Sequence, residues 1–292
     1  VVVGTNGYTT NLTPWQMRRV VPVESTLEDA PAAAGTDWRE CTVISGKGGT
    51  GKTTVAASFA ALADHKVISD CDVDAADLHL LLRPRVLACA EFKGGLKAEI
   101  NPDECIACGK CAELCHFDAI VPEETPDGGE PESYRVDDLL CEGCSLCALA
   151  CPVEAVATEE EAVGETYDSR SPYGPMAHAR LGIGQENSGK LVTRVRQDAA
   201  DMAARFGATR ILSDGSPGMG CPVIASITGI DIALIVTEPT LSGVHDMERV
   251  LELCRHFGVR AAVAVNKADL NAQQVERIHH IAEEKDARVI GS

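Results

Sequence analysis

Short apolar runs alternate with longer amphipathic segments over most of the chain. The first run, residues 41–45, predicts a strand, and it is followed by a glycine-rich loop and a helical pattern over residues 54–65. A second strand is predicted at residues 66–70, directly before an acidic turn. Strands this uniformly apolar are typical of a parallel sheet that is covered on both faces.

The same alternation returns in the second half of the chain. Strands are predicted at residues 209–214, 231–236, 260–265 and 287–290, and helices at residues 190–206, 242–257 and 271–285. Strands that alternate with helices of this length form right-handed βαβ units. We therefore predict an α/β fold with a doubly wound, mostly parallel sheet.

The pattern changes between residues 83 and 161. Two groups of cysteines appear there, separated by a Pro-, Gly- and Glu-rich segment, residues 122–133, that we expect to be a solvated loop. The sheet domain is thus predicted to comprise residues 37–84 and 162–292. Residues 85–161 are predicted to be a small inserted α+β domain.

Both ends of the chain are irregular. Residues 1–36 have no clear hydrophobic period, which fits a linker, the end of an upstream domain or a disordered segment. The chain begins with Val1 and stops at Ser292, just after a predicted strand. We expect it to be a piece of a longer protein, truncated at its carboxyl end.

The composition of the 292 residues narrows the class of protein. The chain is 45% hydrophobic and 24% charged, as in ordinary globular proteins, and its formal net charge of −18 argues against nucleic-acid binding. It has no apolar run long enough to span a membrane and no recognisable secretory signal, so we expect a cytoplasmic protein. Thirteen cysteines in a reducing compartment favour metal ligation over disulfides.

One glycine-rich segment carries a strong chemical signal. It fits the pattern G-x-x-x-x-G-K-[ST], in which backbone N–H groups converge on phosphate oxygens and the following helix directs its positive end at them. Lys52 is expected to reach the β- and γ-phosphates, and the Thr53 hydroxyl to bind Mg²⁺. The flanking strand and helix disfavour a chance glycine-rich turn. The predicted nucleotide-binding residues of this segment are Gly46, Lys47, Gly48, Gly49, Thr50, Gly51, Lys52, Thr53 and Thr54.

Two cysteine repeats share one spacing. They consist of Cys105, Cys108, Cys111 and Cys115, and of Cys141, Cys144, Cys147 and Cys151. The spacing is that of bacterial two-cluster ferredoxins, in which each fourth cysteine ligates the other cluster. Two [4Fe–4S] clusters are therefore predicted: cluster one on Cys105, Cys108, Cys111 and Cys151, and cluster two on Cys141, Cys144, Cys147 and Cys115. Zinc is the alternative, although zinc sites use fewer and differently spaced thiolates.

The phosphate loop contains a second lysine, Lys47. This makes it similar to the deviant phosphate loop of the MinD/ParA/Mrp superfamily of ATPases, which includes nitrogenase iron protein. Segments 70–82, 179–196, 214–223 and 236–246 are also similar to that superfamily, as is the VNKAD segment that contains Asn266. With the cysteine repeats, the resemblance extends from about residue 39 to residue 291. It is to the branch of MinD-like ATPases that carry an inserted ferredoxin domain.

The resemblance implies roles for individual residues. Lys47 would reach across a homodimer, formed in the ATP state, to the partner's nucleotide; a solvated surface lysine is the alternative. Asp72 would orient the attacking water, and Asp70 would lie near the Mg²⁺ shell, unless both only form an acidic turn. Asp214 would hold Mg²⁺ through water, and Asn266 would contact the adenine of ATP or ADP.

Cys221 follows Asp214 in a segment that resembles the second switch loop of the superfamily. In nitrogenase iron protein, a cysteine of the corresponding loop holds a cluster that bridges the dimer. A second such cysteine is not evident in this sequence, so a structural role is favoured over a bridging cluster.

Three functions are compatible with the sequence. The favoured one is an ATPase that couples nucleotide-driven dimer switching to electron transfer with a redox partner. The alternatives are an Mrp-like carrier that delivers clusters to a client protein, and a MinD-like positioning or regulatory switch.

Overall fold

The computed structural model describes residues 38–124, 128–182 and 188–292. These residues form two compact units. The first, called the sheet unit, contains the described residues up to Ala90, residues 164–182 and residues 188–292. The second, called the cysteine unit, contains the described part of residues 91–163.

The secondary structure contains eleven strands and eight α-helices among the described residues. The strands are β1 (Arg39–Ser45), β2 (Lys66–Asp70), β3 (Arg85–Ile100), β4 (Ile120–Pro122), β5 (Tyr134–Val136), β6 (Val156–Ser171), β7 (Gly174–Leu181), β8 (Arg210–Pro217), β9 (Ile232–Thr237), β10 (Arg260–Val265) and β11 (Arg288–Gly291). The helices are α1 (Lys52–Leu62), α2 (Leu78–Leu82), α3 (Lys110–Leu114), α4 (Leu146–Ala150), α5 (Ser188–Phe206), α6 (Cys221–Ile227), α7 (Leu241–His256) and α8 (Ala272–Glu284). None of them is long and apolar enough to cross a membrane.

Nine strands form one sheet in the order β11-β10-β9-β1-β8-β2-β7-β6-β3. The strands from β11 to β7 pair in parallel, whereas β6 runs antiparallel to β7. The predicted α/β class with a mostly parallel sheet is therefore confirmed. Since parallel strands end at the same edge, the carboxyl ends of β1, β2 and β8 meet there, and Asp70 of β2 is the register partner of Asp214 of β8.

Helices cover both faces of this sheet. Consecutive residues of a strand point to opposite faces, and the end of β1 illustrates the result. Ile44 packs in one core with residues of α7 and α8, whereas Val43 packs in a second core with residues of α1. Both side chains are at most 1% exposed. This two-sided burial holds the end of β1, and the loop that follows it, in a fixed place.

The cysteine unit is built from two similar halves. The helix Lys110–Leu114 recurs 36 positions later as Leu146–Ala150. The backbone hydrogen bond from Cys105 N to Asn101 O, at 3.1 Å, likewise recurs from Cys141 N to Asp137 O, at 3.0 Å. The halves cross-connect, because Asn101 N donates to Ala155 O and Asp137 N donates to Ala119 O. The sequence repeat is thus also a structural repeat.

Candidate functional site

The phosphate loop lies between the end of β1 and the start of α1. Gly51, which precedes the helix, has a φ of 94°, a left-handed conformation that favours glycine. A Cβ added at Gly51 would collide with the side-chain amide of Asn266. The Ser45 hydroxyl donates to the carbonyl of Lys47 at 2.8 Å. Local conformation and the surroundings therefore both fix the course of this loop.

Lys52 is buried between two carboxylates at the edge where β2 and β8 end. Its ammonium lies 2.8 Å from Asp214 Oδ1 and 3.2 Å from Asp72 Oδ2. Burial lowers the pKa of Lys52, but the attraction of Asp214 and Asp72 outweighs it and the net shift is upward. Lys52 is therefore a buried cation, as the chemistry of a phosphate-binding lysine requires.

The neighbouring carboxylates are in an unusual environment. Burial, followed by repulsion from Asp214, raises the pKa of Asp70 well above its ordinary value. Both Asp70 oxygens accept backbone N–H groups, from Asp72 and from Leu78, each at 3.2 Å. Burial also raises the pKa of Asp214, against the opposing pull of Lys52. Asp70 thus fixes the turn after β2, and its predicted place near Mg²⁺ stays a prediction.

Two buried oxygens at this site have no hydrogen-bond partner among the described residues: Asp214 Oδ2 and Thr50 Oγ1. The Thr53 side chain is near enough to the Asp214 carboxyl to lower its pKa, and Lys52 Nζ donates to Thr53 Oγ1 at 3.4 Å. Buried polar atoms are normally satisfied, and Mg²⁺ prefers carboxylate, hydroxyl and water oxygens. The donor set of Thr53 and Asp214 therefore fits a hydrated Mg²⁺ ion beside a phosphate.

Lys47 is held by residues of its own chain. Its ammonium lies 2.7 Å from Glu238 Oε1 and donates to Ser242 Oγ at 2.8 Å. Glu238 also binds Lys267 at 2.9 Å, and Lys267 donates to the carbonyl of Gly49 at 3.1 Å. Glu238 was not among the residues predicted from the sequence. The sequence feature that would have pointed to it is an acidic residue directly after the apolar strand β9, at the edge of the sheet where the phosphate loop lies.

Asn266 contacts the phosphate loop directly. Its side-chain amide donates to Thr50 O at 2.8 Å, and its side-chain oxygen accepts from Lys267 N at 3.0 Å. The backbone N–H of Asn266 donates to Thr237 O at 2.8 Å. Asn266 therefore holds the phosphate loop in place through these hydrogen bonds. Its contact with adenine stays a prediction.

The predicted cluster ligands lie in the two halves of the cysteine unit. Burial raises the pKa of Cys111, and the neighbouring Cys105 and Cys108 raise it further. Burial raises the pKa of Cys147 in the same way, and its neighbours Cys141 and Cys144 add to the shift. The first three cysteines of each repeat are thus close together. That the fourth cysteine of each repeat, Cys115 or Cys151, ligates the cluster of the other repeat stays a prediction.

The surroundings of these cysteines fit an iron–sulfur cluster. Apolar side chains, including Ile100, Ile120 and Val156, form a small core with Cys111 and Cys147. Backbone amides point at sulfur: Ala107 N lies 3.4 Å from Cys105 Sγ, and Ala155 N lies 3.3 Å from Cys151 Sγ. Hydrogen bonds to sulfur and an apolar shell tune cluster potentials. Within the described ranges, no three His, Cys, Asp or Glu side chains are grouped around a point that suits a single metal ion.

Five cysteines lie outside the repeats. Burial raises the pKa of Cys41, Cys71 and Cys254 to about 12, so these thiols are protonated and behave as small apolar side chains. Cys89 and Cys221 are exposed. Cys221 is the first residue of α6.

Comparison with known proteins identifies one family over part of the chain and several similar folds. Residues 98–158 match the family described as "4Fe-4S dicluster domain". Solved structures similar to the chain include MinD from Pyrococcus horikoshii OT3 in complex with Mg-ADP, at 16% identity, covering 83% of this chain and 76% of that one, with a TM-score of 0.43. A ParA family ATPase from Chlorobium tepidum TLS has 17% identity, covers 87% of this chain and 83% of that one, and has a TM-score of 0.44.

The fold, the phosphate loop and the dicluster domain together define a P-loop protein, of the kind that the MinD/ParA resemblance predicted, with a ferredoxin-like iron–sulfur domain. The chain is 38% identical over 232 residues to the uncharacterized protein MJ0578 of Methanocaldococcus jannaschii, covering 78% of each chain. It belongs to the same family as that protein. It is also 24% identical over 231 residues to MJ0579 of the same organism, covering 77% of this chain and 78% of that one.

Proposed function

We propose that this protein binds and hydrolyses Mg·ATP as a homodimer and couples the resulting switch to electron transfer between two [4Fe–4S] clusters and a partner protein. The observation that carries the proposal is the position of Lys52. It is a buried cation between Asp214 and Asp72, beside two buried oxygens that have no hydrogen-bond partner in the part of the chain that the structure describes. One polypeptide contains both this site and the dicluster domain.

Five residues of the site have a role in phosphoryl transfer. Lys52 and the loop N–H groups bind the phosphates, while Thr53 and Asp214 hold the metal ion. Mg²⁺, when bound, neutralises charge on the β- and γ-phosphates. Asp72 orients the attacking water. Lys47, supplied by the partner subunit, stabilises charge that develops on the γ-phosphate, as an arginine finger does.

The cysteine unit supplies the redox half of the proposal. Cysteines stay reduced and available as ligands in a reducing compartment such as the cytoplasm, where we expect this protein to act. The amide donors to Cys105 and Cys151 stabilise negative charge on sulfur and so favour the reduced state of the cluster. The net charge of −18 favours a redox partner with a basic docking surface, because complementary charge accelerates association.

The test is an anaerobic ATPase assay and EPR spectroscopy on the same sample, with and without nucleotide. Lys52→Ala should abolish hydrolysis and leave the iron content unchanged, because the cysteine ligands are untouched. Lys285→Ala is the matched control, because the ammonium of Lys285 lies 2.6 Å from the carboxylate of Glu252 on α7 and not at the phosphate loop. Cluster potentials that are identical with ATP, with ADP and without nucleotide would contradict redox coupling. Purified protein with close to zero iron would contradict the whole proposal.

Delivery of clusters to a client protein is the second candidate. The observation that favours it is the exposure of Cys108 and Cys144, one in each repeat, because an exposed ligand can be exchanged for that of a client. Transfer of a cluster to an apo-ferredoxin, followed by absorbance, distinguishes the two candidates. If both clusters stay bound in the presence of ATP, the carrier function is wrong.

A further inference from the structure

The strand β3 is the last strand of the sheet on the side of β6. Its two halves differ in how they are covered. In the second half, the carbonyl of Leu96 lies so close to Gly143 that no Cβ fits there. Lys97 in addition donates to the carbonyl of Cys141 at 2.9 Å. The loop that carries the second cysteine repeat therefore packs against this half.

The first half of β3, residues 85–91, is exposed at every position. Val86 is 48% and Leu87 54% exposed, and Leu80, on the preceding helix α2, is 55% exposed. No described residue pairs with this edge on the side away from β6. Proteins protect such edges with Lys, Pro or a bulge, because an open apolar edge is a template for another strand. Residues 85–91 contain no Lys, Pro or Gly, and their two charged residues, Arg85 and Glu91, stand at the ends and leave residues 86–90 uncharged.

The sequence of this segment is complementary to itself when it is read in opposite directions. In an antiparallel pair of two copies centred on Ala88, Arg85 lies opposite Glu91, and Leu87 lies opposite Cys89. The two-fold axis produces the Arg85–Glu91 pair twice. A pair centred one residue later, on Cys89, would place Arg85 opposite Lys93. Opposite charges across a strand pair stabilise it and like charges destabilise it, so charge selects the Ala88 register.

We propose that residues 85–91 of β3 pair with the same residues of a second copy of this chain, joining two sheets edge to edge. The second copy is the occupant because Arg85 and Glu91, which lie six positions apart along one strand and cannot meet within it, face each other in a two-fold pair. Neither Arg85 nor Glu91 has an ion-pair partner within the described part of the chain. This interface lies at the end of the sheet order, whereas the phosphate loop follows the central strand β1. The phosphate loop is not part of this interface, so we expect the interface to form without nucleotide.

The test is sedimentation velocity of the anaerobic, cluster-loaded, nucleotide-free full chain. The wild type should sediment as a dimer. Arg85→Glu and Glu91→Arg should each weaken the dimer on the order of tenfold or more, because both cross-strand pairs become like-charged. The double variant should restore the dimer. An equimolar mixture of the two single variants should also dimerise, because each cross-strand pair would then join a carboxylate of one chain to a guanidinium of the other. Glu99→Arg, on the same strand but outside the paired segment, is the control.

A wild type that sediments as a single chain without nucleotide would overturn the proposal. That result would also follow if residues 1–37 or another protein occupied the edge. A nucleotide-free dimer that is insensitive to all the charge changes would equally overturn it. The ATPase activity of each variant, measured with saturating ATP, shows separately whether the nucleotide site is intact.

Discussion

The ammonium of Lys47 lies 2.7 Å from the carboxylate of Glu238 in the same chain. The hydrogen bond from Lys47 is the largest cause that lowers the pKa of Glu238, so this carboxylate is ionised at neutral pH. Under the proposed function, Lys47 must leave this contact to reach the nucleotide of a partner. Glu238 therefore competes with dimer formation for the same lysine.

Replacing Glu238 by Gln removes this competition. An ion pair at a partly exposed site contributes about 1 kcal/mol or less, so Glu238→Gln should raise the ATPase rate by about two- to fivefold at protein concentrations where dimers are scarce. The measurement is the hydrolysis rate as a function of protein concentration. Adding Lys47→Ala should abolish the gain, and Glu252→Gln, remote from the loop, should not produce it. An unchanged or lower rate in Glu238→Gln would contradict the competition.

A methyl group at Gly51 should abolish nucleotide binding. The left-handed φ at this position disfavours other residues, and the added Cβ would collide with the amide of Asn266. Gly49→Ala is the matched control: its φ is 80°, but a Cβ there has no atom within 4 Å. Gly49→Ala should cost about 1 kcal/mol of strain and retain binding. Isothermal titration with Mg·ADP measures both, and equal affinities would contradict the steric argument.

The exchange of fourth ligands between the two halves makes a spectroscopic prediction. If Cys151 serves cluster one, Cys151→Ser and Cys105→Ser should alter the same EPR signal, although the residues belong to different repeats. Cys115→Ser should alter the other signal, together with Cys141→Ser. The corresponding Ala variants should each lose about half of the iron, since one of two clusters is incomplete. Pairing of Cys151 with Cys141 in these spectra would show that the ligands do not cross.

Stability should depend on pH through His178. Burial, followed by repulsion from His79, lowers the pKa of His178 to about 4 from 6.5. The ring stacks on Tyr167 and its Nε2 lies 2.9 Å from Ser169 Oγ. Between pH 6.5 and 4 the unfolded chain binds a proton at His178 that the folded chain does not, so the free energy of unfolding falls as the pH falls.

The free energy of unfolding should fall between about pH 7.5 and about pH 5.5. We expect this fall to be about 1 kcal/mol larger for the wild type than for His178→Gln. Anaerobic urea unfolding at the two pH values measures this difference. The control is His280→Gln, because the wild-type His280 side chain is 73% exposed. This variant should behave like the wild type. Equal losses in the wild type and in His178→Gln would contradict the assignment.

Six of the seven strands that pair in parallel were predicted from the sequence, and the reason is local. Strands β2 and β10 begin and end at the predicted residues, because each is a short apolar run with breaks on both sides. The strands β3, β6 and β7 were not predicted. The β6 segment is mostly polar, and its strand structure comes from pairing with β7, which periodicity alone does not show.

In the candidate site, too, some features follow from local sequence patterns and others depend on contacts between distant segments. The phosphate loop and Asp214 follow from a pattern of adjacent residues, and the structure places Lys52 and Asp214 in contact. The contact of Lys47 with Glu238, and that of Asn266 with Thr50, join segments that are far apart in sequence. Such contacts depend on the order of the strands, which a single sequence does not specify.

The chain leaves the sheet unit within β3, after Ala90, and returns within β6, before Gly164. On the sheet side of this boundary the Thr166 hydroxyl donates to the carbonyl of Ala90 at 3.5 Å, so the exit and the return are neighbours. A domain inserted between adjacent strand positions closes only a short gap in its host, which is where domain insertions are best tolerated. The segment between these two points can therefore vary in length without a change in the order of strands β1, β8 and β2, which surround the phosphate loop.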